Sequence, residues 1–374
     1  MRWAANHRPF LGWQGCTGRA ALLALFAIAA PLCTAAVAQE QGTPKAPARA
    51  YENRLVRIEN PQPLLADHPE FIEPMRETVH YEAPRLVDDE GADIEVRAWR
   101  FSYNARAVIE MPNRLRGANT AVIMVHPWGI DDGQGWKTPE PAGVCDFCTP
   151  EKNHLAARHT REVVNPFIKS MRGNVALVMY SLPGNEDPIR KKLYRSFKSR
   201  PTEADRRQGE RELTAKLKGF SYRGASLPSV LKLSQDKAVV DYFKQFPGLD
   251  FSERYNNVAY WDLPIPVTKD IETDVDDVVI YDAPGYEPLK KFLQEQKVRN
   301  VLLTGYASDM CYCKTTAGYQ NLSRDFNVFL VADASLATFP ANSTPRFATN
   351  VAIAYAALDQ LITQISWVQL KKSR

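Results

Sequence analysis

The clearest sign of chemistry in the chain is a cysteine that follows an apolar run and a glycine-containing loop. The segment VLLTGYASDMC begins at Val301 and ends at Cys311. The apolar run predicts a buried strand, and the residues after Cys311 predict a helix, so we expect this cysteine at a helix N-terminus. Backbone N–H groups and the helix dipole there favour a thiolate and a developing oxyanion. Cys311 is therefore the candidate nucleophile, and the alternative is a buried structural cysteine. The candidate oxyanion donors are the backbone amides of Ser308, Asp309 and Met310.

Four of the six cysteines form two close pairs, Cys145 with Cys148 and Cys311 with Cys313. In an oxidising compartment such thiols tend to form disulfides. We therefore predict disulfides that involve Cys145, Cys148 or Cys313, with free or redox-active thiols as the alternative. A bridge to Cys311 itself would prevent that residue from acting as a resting nucleophile.

Neither a metal nor another cofactor is expected. The C-x₂-C pair is half of a usual zinc site, but C-x-C is a poor partner for it. Two histidines on one predicted helix, His154 and His159, lie five residues apart and not four. Residues with that spacing do not share a helix face well, so we expect solvated side chains and no shared metal.

The first 38 residues have the pattern of a secretory signal peptide. They contain three arginines and no acidic residue, and an apolar run extends from Ala20 to Leu32. The small-residue sequence AVA follows and ends at Ala38, where we predict cleavage. The apolar run is shorter than the ~20 residues that a spanning helix needs. The mature protein is thus predicted to be periplasmic or secreted, without stable membrane insertion.

Composition predicts a globular chain with a substantial core. Of the 374 residues, 45% are hydrophobic and 24% are charged, which excludes disordered, collagen-like and coiled-coil proteins. The net charge of +4 is too small for a protein built to bind nucleic acid. We predict a flexible lead-in at 39–50, a β-rich N-terminal extension at 51–118 and an α/β domain at 119–374. A charged, helical insert at about 186–272 interrupts that domain.

Short apolar runs alternate with helical patterns after Thr120, which predicts a three-layer αβα fold around a central, mostly parallel sheet. The predicted strands are Ala121–Val125, Asn174–Leu182, Val278–Tyr281, Val301–Thr304 and Val328–Val331. The predicted helices are Asn153–Arg172, Pro288–Gln296, one that follows Cys311, and Arg346–Ile365. In such folds ligands bind beyond the carboxyl ends of the strands.

Polar and aromatic residues follow several of these strand ends. His126 comes directly after the first strand, and its imidazole is a workable base for a thiol. Three acidic residues could orient that imidazole: Asp131, Asp132 and Asp282. Trp128, Asp131 and Tyr306 are the candidate lining of a substrate pocket.

The run from Val301 to Ser335 resembles the isochorismatase-like cysteine hydrolases, which include nicotinamidases and N-carbamoylsarcosine amidase. The match is to a strand, the motif G-x-x-[TS]-D-x-C from Gly305 to Cys311, a helix, a strand and the pair D-A. The resemblance covers about residues 120–182 and 278–365. It implies an isochorismatase-like α/β fold, a covalent intermediate on Cys311, a small-molecule substrate and a homo-oligomer.

The chain departs from this family at two of three catalytic positions. The family uses Asp, Lys and Cys, and the residues that match here are His126, Tyr281 and Cys311. A metal-binding D-x-H of nicotinamidases is matched by Ser181-Leu182-Pro183, so no such metal is expected. Two interpretations follow. In the first, the protein hydrolyses a C–N or related bond through Cys311, with His126 as base; in the second, it is a catalytically inactive binding or structural protein on the same fold.

Overall fold

The computed structural model describes residues 48–102, 104–127, 150–218, 230–244, 270–309, 311–337 and 363–370. Outside these ranges lie the predicted signal peptide and the predicted site residues Trp128, Asp131, Asp132, Cys145, Cys148 and Met310. In the described ranges, no helix combines the length and the apolar character that crossing a membrane requires.

One ten-stranded sheet organises the described residues, with the strand order β1-β2-β4-β3-β10-β9-β8-β5-β6-β7. The strands are β1 (Val56–Ile58), β2 (His80–Glu82), β3 (Ile94–Ser102), β4 (Ala107–Leu115), β5 (Thr120–Val125), β6 (Leu177–Leu182), β7 (Val278–Tyr281), β8 (Asn300–Tyr306), β9 (Asn327–Leu336) and β10 (Thr363–Leu370). From β10 to β7 all neighbouring strands are parallel. The predicted central, mostly parallel sheet is confirmed.

Helices cover both faces of this sheet. They are α1 (Pro150–His159), α2 (Asn165–Met171), α3 (Pro188–Leu193), α4 (Glu203–Lys218), α5 (Ala238–Lys244), α6 (Tyr286–Glu295), α7 (Cys311–Lys314) and α8 (Tyr319–Leu322). A π-helical turn, Thr160–Val164, joins α1 to α2. Apolar side chains of α1 and α2 pack on one face, and those of α6, α7 and α8 pack on the other. Two helical layers around a sheet confirm the three-layer prediction.

The central strands are buried on both faces because helices cover both. Every residue of β5, β6 and β8 is buried. A strand in this position has apolar side chains in a continuous run and not in alternation. This is why Ala121–Val125 could be recognised as a strand from the sequence alone.

The last described strand corrects one sequence prediction. A helix was expected to extend to Ile365, but residues from Thr363 onward form β10. This strand is antiparallel to β3 and parallel to β9. The backbone of β10 forms hydrogen bonds with both neighbouring strands. This pairing is a tertiary interaction, so a local helical pattern in the sequence does not reveal it.

The N-terminal strands belong to the same sheet as the α/β part. β3 and β4 form a long antiparallel pair from Ile94 to Leu115. A parallel pairing adds β2 to β4, and β1 closes this edge. The insert between β6 and β7 contains α3, α4 and α5. The fold therefore joins a β-rich half and a parallel half through β10.

Candidate active site

Three chemically active side chains meet at the carboxyl ends of the parallel strands. His126 follows β5, Asp282 follows β7, and Cys311 begins α7, directly after the loop that leaves β8. The strand β6 lies between β5 and β7, and its last residues hydrogen-bond to the backbones of both site residues. The His126 N–H donates to the Ser181 carbonyl oxygen at 2.9 Å, and the Asp282 N–H donates to the Leu182 carbonyl oxygen at 3.0 Å. The sheet thus fixes the backbones of both residues.

The His126 imidazole is bound to a carboxylate. Its Nε2 lies 2.8 Å from Oδ2 of Asp282. The side chains are only 15% and 23% exposed, so little water competes for this contact. His126 has a φ of 40°, a left-handed backbone conformation that histidine adopts more readily than most residues. This turn at the end of β5 directs the imidazole toward Asp282.

Cys311 is the second partner of the same imidazole. Its partly buried thiol is free and hydrogen-bonds to His126. The imidazole therefore lies between a carboxylate and a thiol. Thr316, which the sequence analysis did not consider, supports this arrangement because its hydroxyl donates to the backbone oxygen of Asp282 at 2.8 Å. No sequence motif marks this threonine.

The electrostatic surroundings favour a protonated His126. Burial lowers the pKa of this imidazole, but the hydrogen bonds and charges of Asp282 and Cys311 raise it more, to about 10. A buried cation next to a carboxylate and a sulfur atom is stable because both neighbours carry or accept negative charge. An imidazolium beside a cysteine is also the arrangement that activates a thiolate nucleophile.

Gly305 allows the strands that carry His126 and Cys311 to approach each other. It pairs with Val125, the residue before His126, and has a φ of 110°. A Cβ atom at this glycine would lie 2.2 Å from the Val125 carbonyl oxygen and 2.7 Å from its nitrogen. The glycine of the sequence motif is therefore required by both its backbone conformation and the lack of space.

One predicted oxyanion donor is already engaged. The amide of Ser308 donates to the Leu336 carbonyl oxygen at 2.9 Å, so it does not point to a substrate. This corrects the prediction for Ser308: the loop is tied to the end of β9. Asp309 lies within the described loop, and Cys311 is the first residue of α7, where a backbone N–H has no acceptor inside the helix.

Tyr281 lies away from His126. Successive side chains of a strand point to opposite faces, so Tyr281 and Asp282 diverge. The Tyr281 ring packs in the core beneath the Arg190 guanidinium, 5.4 Å from the ring centre. Burial raises the pKa of its hydroxyl well above 10. The position that the resemblance assigned to a lysine thus contributes no side chain to His126, and the following residue, Asp282, contributes one.

Two further expectations are corrected by burial. Tyr306, expected to line a pocket, is 1% exposed and packs in the core. His159, expected in solvent, is fully buried, because the helix carrying it turns this face toward the sheet and the π-helical turn follows directly. His154 is exposed as predicted.

The predicted disulfide at Cys313 is not formed. This side chain is a buried thiol that is not part of a disulfide, and its Sγ donates to the Ser308 carbonyl oxygen at 3.1 Å. The contact points into the loop before Cys311. Cys313 therefore supports the loop before Cys311 by packing and hydrogen bonding.

The residues at the nicotinamidase metal position do not fit a metal. Ser181 and Leu182 are buried strand residues, and Pro183 follows them. None supplies a carboxylate or an imidazole, the ligands that this position would need. In the part of the chain that the structure describes, no group of three or more metal-ligating side chains is present.

Comparison with solved structures finds several hydrolases whose structures are similar to this chain at low sequence identity. A pyrazinamidase of Pyrococcus horikoshii in complex with zinc is 16% identical, with 67% of this chain and 99% of that one covered and a TM-score of 0.32. A cysteine hydrolase from Pseudomonas syringae pv. phaseolicola is 16% identical, covering 66% and 87%, with a TM-score of 0.30. An isochorismatase-like hydrolase from Alkaliphilus metalliredigens is 7% identical, covering 66% and 92%, with a TM-score of 0.33. No protein-family model matches the chain, and no curated protein is detectably similar in sequence.

Proposed function

We propose that this protein is a cysteine hydrolase that cleaves a C–N or related bond of a small molecule. Cys311 is the nucleophile, His126 the acid and base, and Asp282 the group that orients and charges the imidazole. The observation that carries the proposal is the His126 imidazole held between the Asp282 carboxylate and the Cys311 thiol. This order of carboxylate, imidazole and nucleophile is the one that activates nucleophiles in unrelated hydrolases.

The first half of the reaction forms a thioester. The Cys311 thiolate attacks the carbonyl carbon of an amide, and the C=O electron pair moves to oxygen. We assign the resulting oxyanion to the backbone N–H of Cys311, the first residue of α7. When the intermediate collapses, the C–N bond breaks and the amine leaves with the proton of the His126 imidazolium.

The second half returns the enzyme to its starting state. Neutral His126 removes a proton from water, and the hydroxide attacks the thioester carbon. Collapse of this second intermediate breaks the C–S bond and releases a carboxylic acid, while Cys311 leaves as the thiolate. Asp282 stabilises the imidazolium again, since its carboxylate remains hydrogen-bonded to the ring throughout.

The second candidate is a binding or structural protein without activity. It is favoured by the loss of the family's Asp and Lys at the positions of His126 and Tyr281. The active interpretation is favoured by the residue that replaces the family's Asp. This residue, His126, is hydrogen-bonded to a carboxylate, that of Asp282. A random loss of function would not be expected to create an acid–base pair beside the cysteine.

The cellular context is proposed from the N-terminal sequence. A basic start, a short apolar run and the AVA sequence ending at Ala38 support export to the periplasm or outside the cell. We further propose a homo-oligomer that acts on a small molecule and does not bind nucleic acid. N-terminal sequencing of the protein recovered from its native host tests the cleavage site, and light scattering tests the assembly.

Thiol reactivity tests the catalytic proposal before a substrate is known. Alkylation by iodoacetamide from pH 5 to 9 is followed by mass spectrometry, with fragmentation to separate Cys311 from Cys313. We expect Cys311 to react faster than a free thiol in the acidic half of this range. A Cys311 no more reactive than a free thiol at every pH would contradict the proposal.

A substrate screen supplies the second test. Small amides and ureides are incubated with the wild-type protein, with C311A and with D276N, which changes an exposed carboxylate paired with Arg200. We expect turnover by the wild type, retained turnover in D276N and none in C311A. Activity that survives in C311A excludes this cysteine as nucleophile.

A further inference from the structure

A buried hydrogen-bond network lies on the opposite face of the sheet from Cys311. The hydroxyl of Tyr306 lies 2.7 Å from Nδ1 of His159 and 2.9 Å from the hydroxyl of Thr160. The other imidazole nitrogen, Nε2 of His159, lies 2.7 Å from the carbonyl oxygen of Asp333. Both His159 and Thr160 are fully buried, and the Phe71 ring packs edge-on against the imidazole. The catalytic proposal uses none of these residues.

The chemistry of the partners fixes the direction of these hydrogen bonds. A carbonyl oxygen only accepts, so Nε2 of His159 carries a proton and donates it to Asp333. In the neutral ring Nδ1 is then an acceptor. The Tyr306 hydroxyl donates toward it at 2.7 Å, and the Ala156 carbonyl oxygen is a second, more distant acceptor at 3.3 Å. The Thr160 hydroxyl, 2.9 Å away, then donates to the tyrosine oxygen. Tyr306 is therefore held at a defined position by groups on the α1 helix and the π-helical turn.

A short, hydrogen-bonded loop connects Tyr306 to Cys311. Tyr306 is the last residue of β8, and four residues lie between it and Cys311. The next residue, Ala307, accepts from the Tyr312 amide at 3.2 Å, and Ser308 donates to Leu336. Because the residue after Tyr306 is hydrogen-bonded to the second residue of α7, a displacement of Tyr306 is expected to displace the start of this helix.

We infer that Tyr306 and His159 are positioning residues that hold the Cys311 loop against His126. This inference rests on the proposed function. The π-helical turn supports it, since such turns are frequent at functional sites and here the turn begins at Thr160, directly after His159. A hydroxyl and an imidazole that only filled the core could be replaced by apolar groups without effect on thiol reactivity.

The test measures the alkylation of Cys311 in Y306F, H159L and the double variant. Each single variant breaks the hydrogen bond between Tyr306 and His159, and we expect its alkylation rate near pH 6 to fall about tenfold. The double variant is expected to lose no more than either single variant, because residues that act through one contact are not additive. The full-length protein is used throughout.

Y180F is the matched control. Tyr180 is a buried tyrosine of the same apolar cluster, and its hydroxyl accepts from Arg172 at 3.1 Å. Denaturant unfolding of every variant reports the loss of stability separately. We expect Y180F to lose stability but to keep the wild-type alkylation profile.

The outcomes separate the inference from the proposed function. A wild type with enhanced reactivity and a Y306F profile equal to it would overturn the positioning role and leave the nucleophile in place. A Y180F shift as large as that of Y306F would also overturn it, since any loosening of the core would then suffice. A wild type without enhanced reactivity at Cys311 would overturn both.

Discussion

At the scale of single residues, the charge of His126 depends on Asp282. Burial lowers the pKa of the imidazole, and the hydrogen bonds and charges of Asp282 and Cys311 raise it to about 10, with the Asp282 hydrogen bond the largest of the raising effects. In D282N the charge is lost and the hydrogen bond is weakened, so we expect the titration midpoint of His126 to fall by more than one unit. NMR of the labelled imidazole measures it.

The control for this prediction is D276N. Asp276 is an exposed carboxylate that pairs with Arg200 and is absent from the groups that affect His126. We expect it to leave the midpoint unchanged. An unchanged midpoint in D282N as well would show that the thiol alone maintains the charge, and the proposed role of Asp282 would then be wrong.

Sequence reasoning placed Cys311 and His126 at one edge of the sheet but left open which acidic residue binds the imidazole. Cys311 follows a glycine-containing loop after a buried strand, and His126 directly follows another, so both could be placed at one edge of the sheet. The acid depends on the order of strands: β7 neighbours β6, which neighbours β5. Only that order brings Asp282 to His126, and strand order is not written in local sequence.

At the scale of elements, the close contact of β5 and β8 holds the site together. Gly305 is the point of closest approach, and an alanine there would place Cβ 2.2 Å from the Val125 carbonyl oxygen. We expect G305A to separate these strands, to lower the free energy of unfolding by several kcal/mol, on the order of severe overpacking, and to remove enhanced alkylation of Cys311. Denaturant unfolding and the alkylation profile measure both.

A second glycine distinguishes steric overlap from backbone strain. Gly91 also has a positive φ, 67°, but a Cβ atom there would meet nothing within 4 Å. G91A should therefore cost only about 1–2 kcal/mol, the usual penalty of a left-handed conformation. Equal losses in G91A and G305A would contradict a role for strand approach at Gly305.

Helices and strands could be predicted from the sequence where one buried face gives the apolar residues a regular spacing. Helix α6 has Leu289 and Leu293 one turn apart against the sheet, and its apolar spacing identified it. The π-helical turn after α1 has no such signature. Its consequence, a buried His159 where a solvated one was expected, follows from tertiary packing against Tyr306 and Phe71.

At the scale of the whole molecule, β10 joins the two halves of the sheet. It pairs with β3 on one side and β9 on the other, and β9 also carries the Leu336 oxygen that anchors the loop before Cys311. A strand from the end of the described chain therefore supports both the N-terminal strands and the active edge. The candidate site therefore depends on a connection that is distant in sequence from His126, Asp282 and Cys311.

Removal of β10 is therefore expected to affect the site as well as stability. A chain that ends at residue 362 would leave the facing backbone groups of β3 and β9 without ladder partners, and edges of this kind promote association. We expect a lower free energy of unfolding, concentration-dependent association in light scattering, and slower alkylation of Cys311 near pH 6. A chain that ends at residue 370 keeps β10 and is the control. If the shorter chain matched it in stability and alkylation, β9 would hold the loop before Cys311 without β10, and the two halves would be independent.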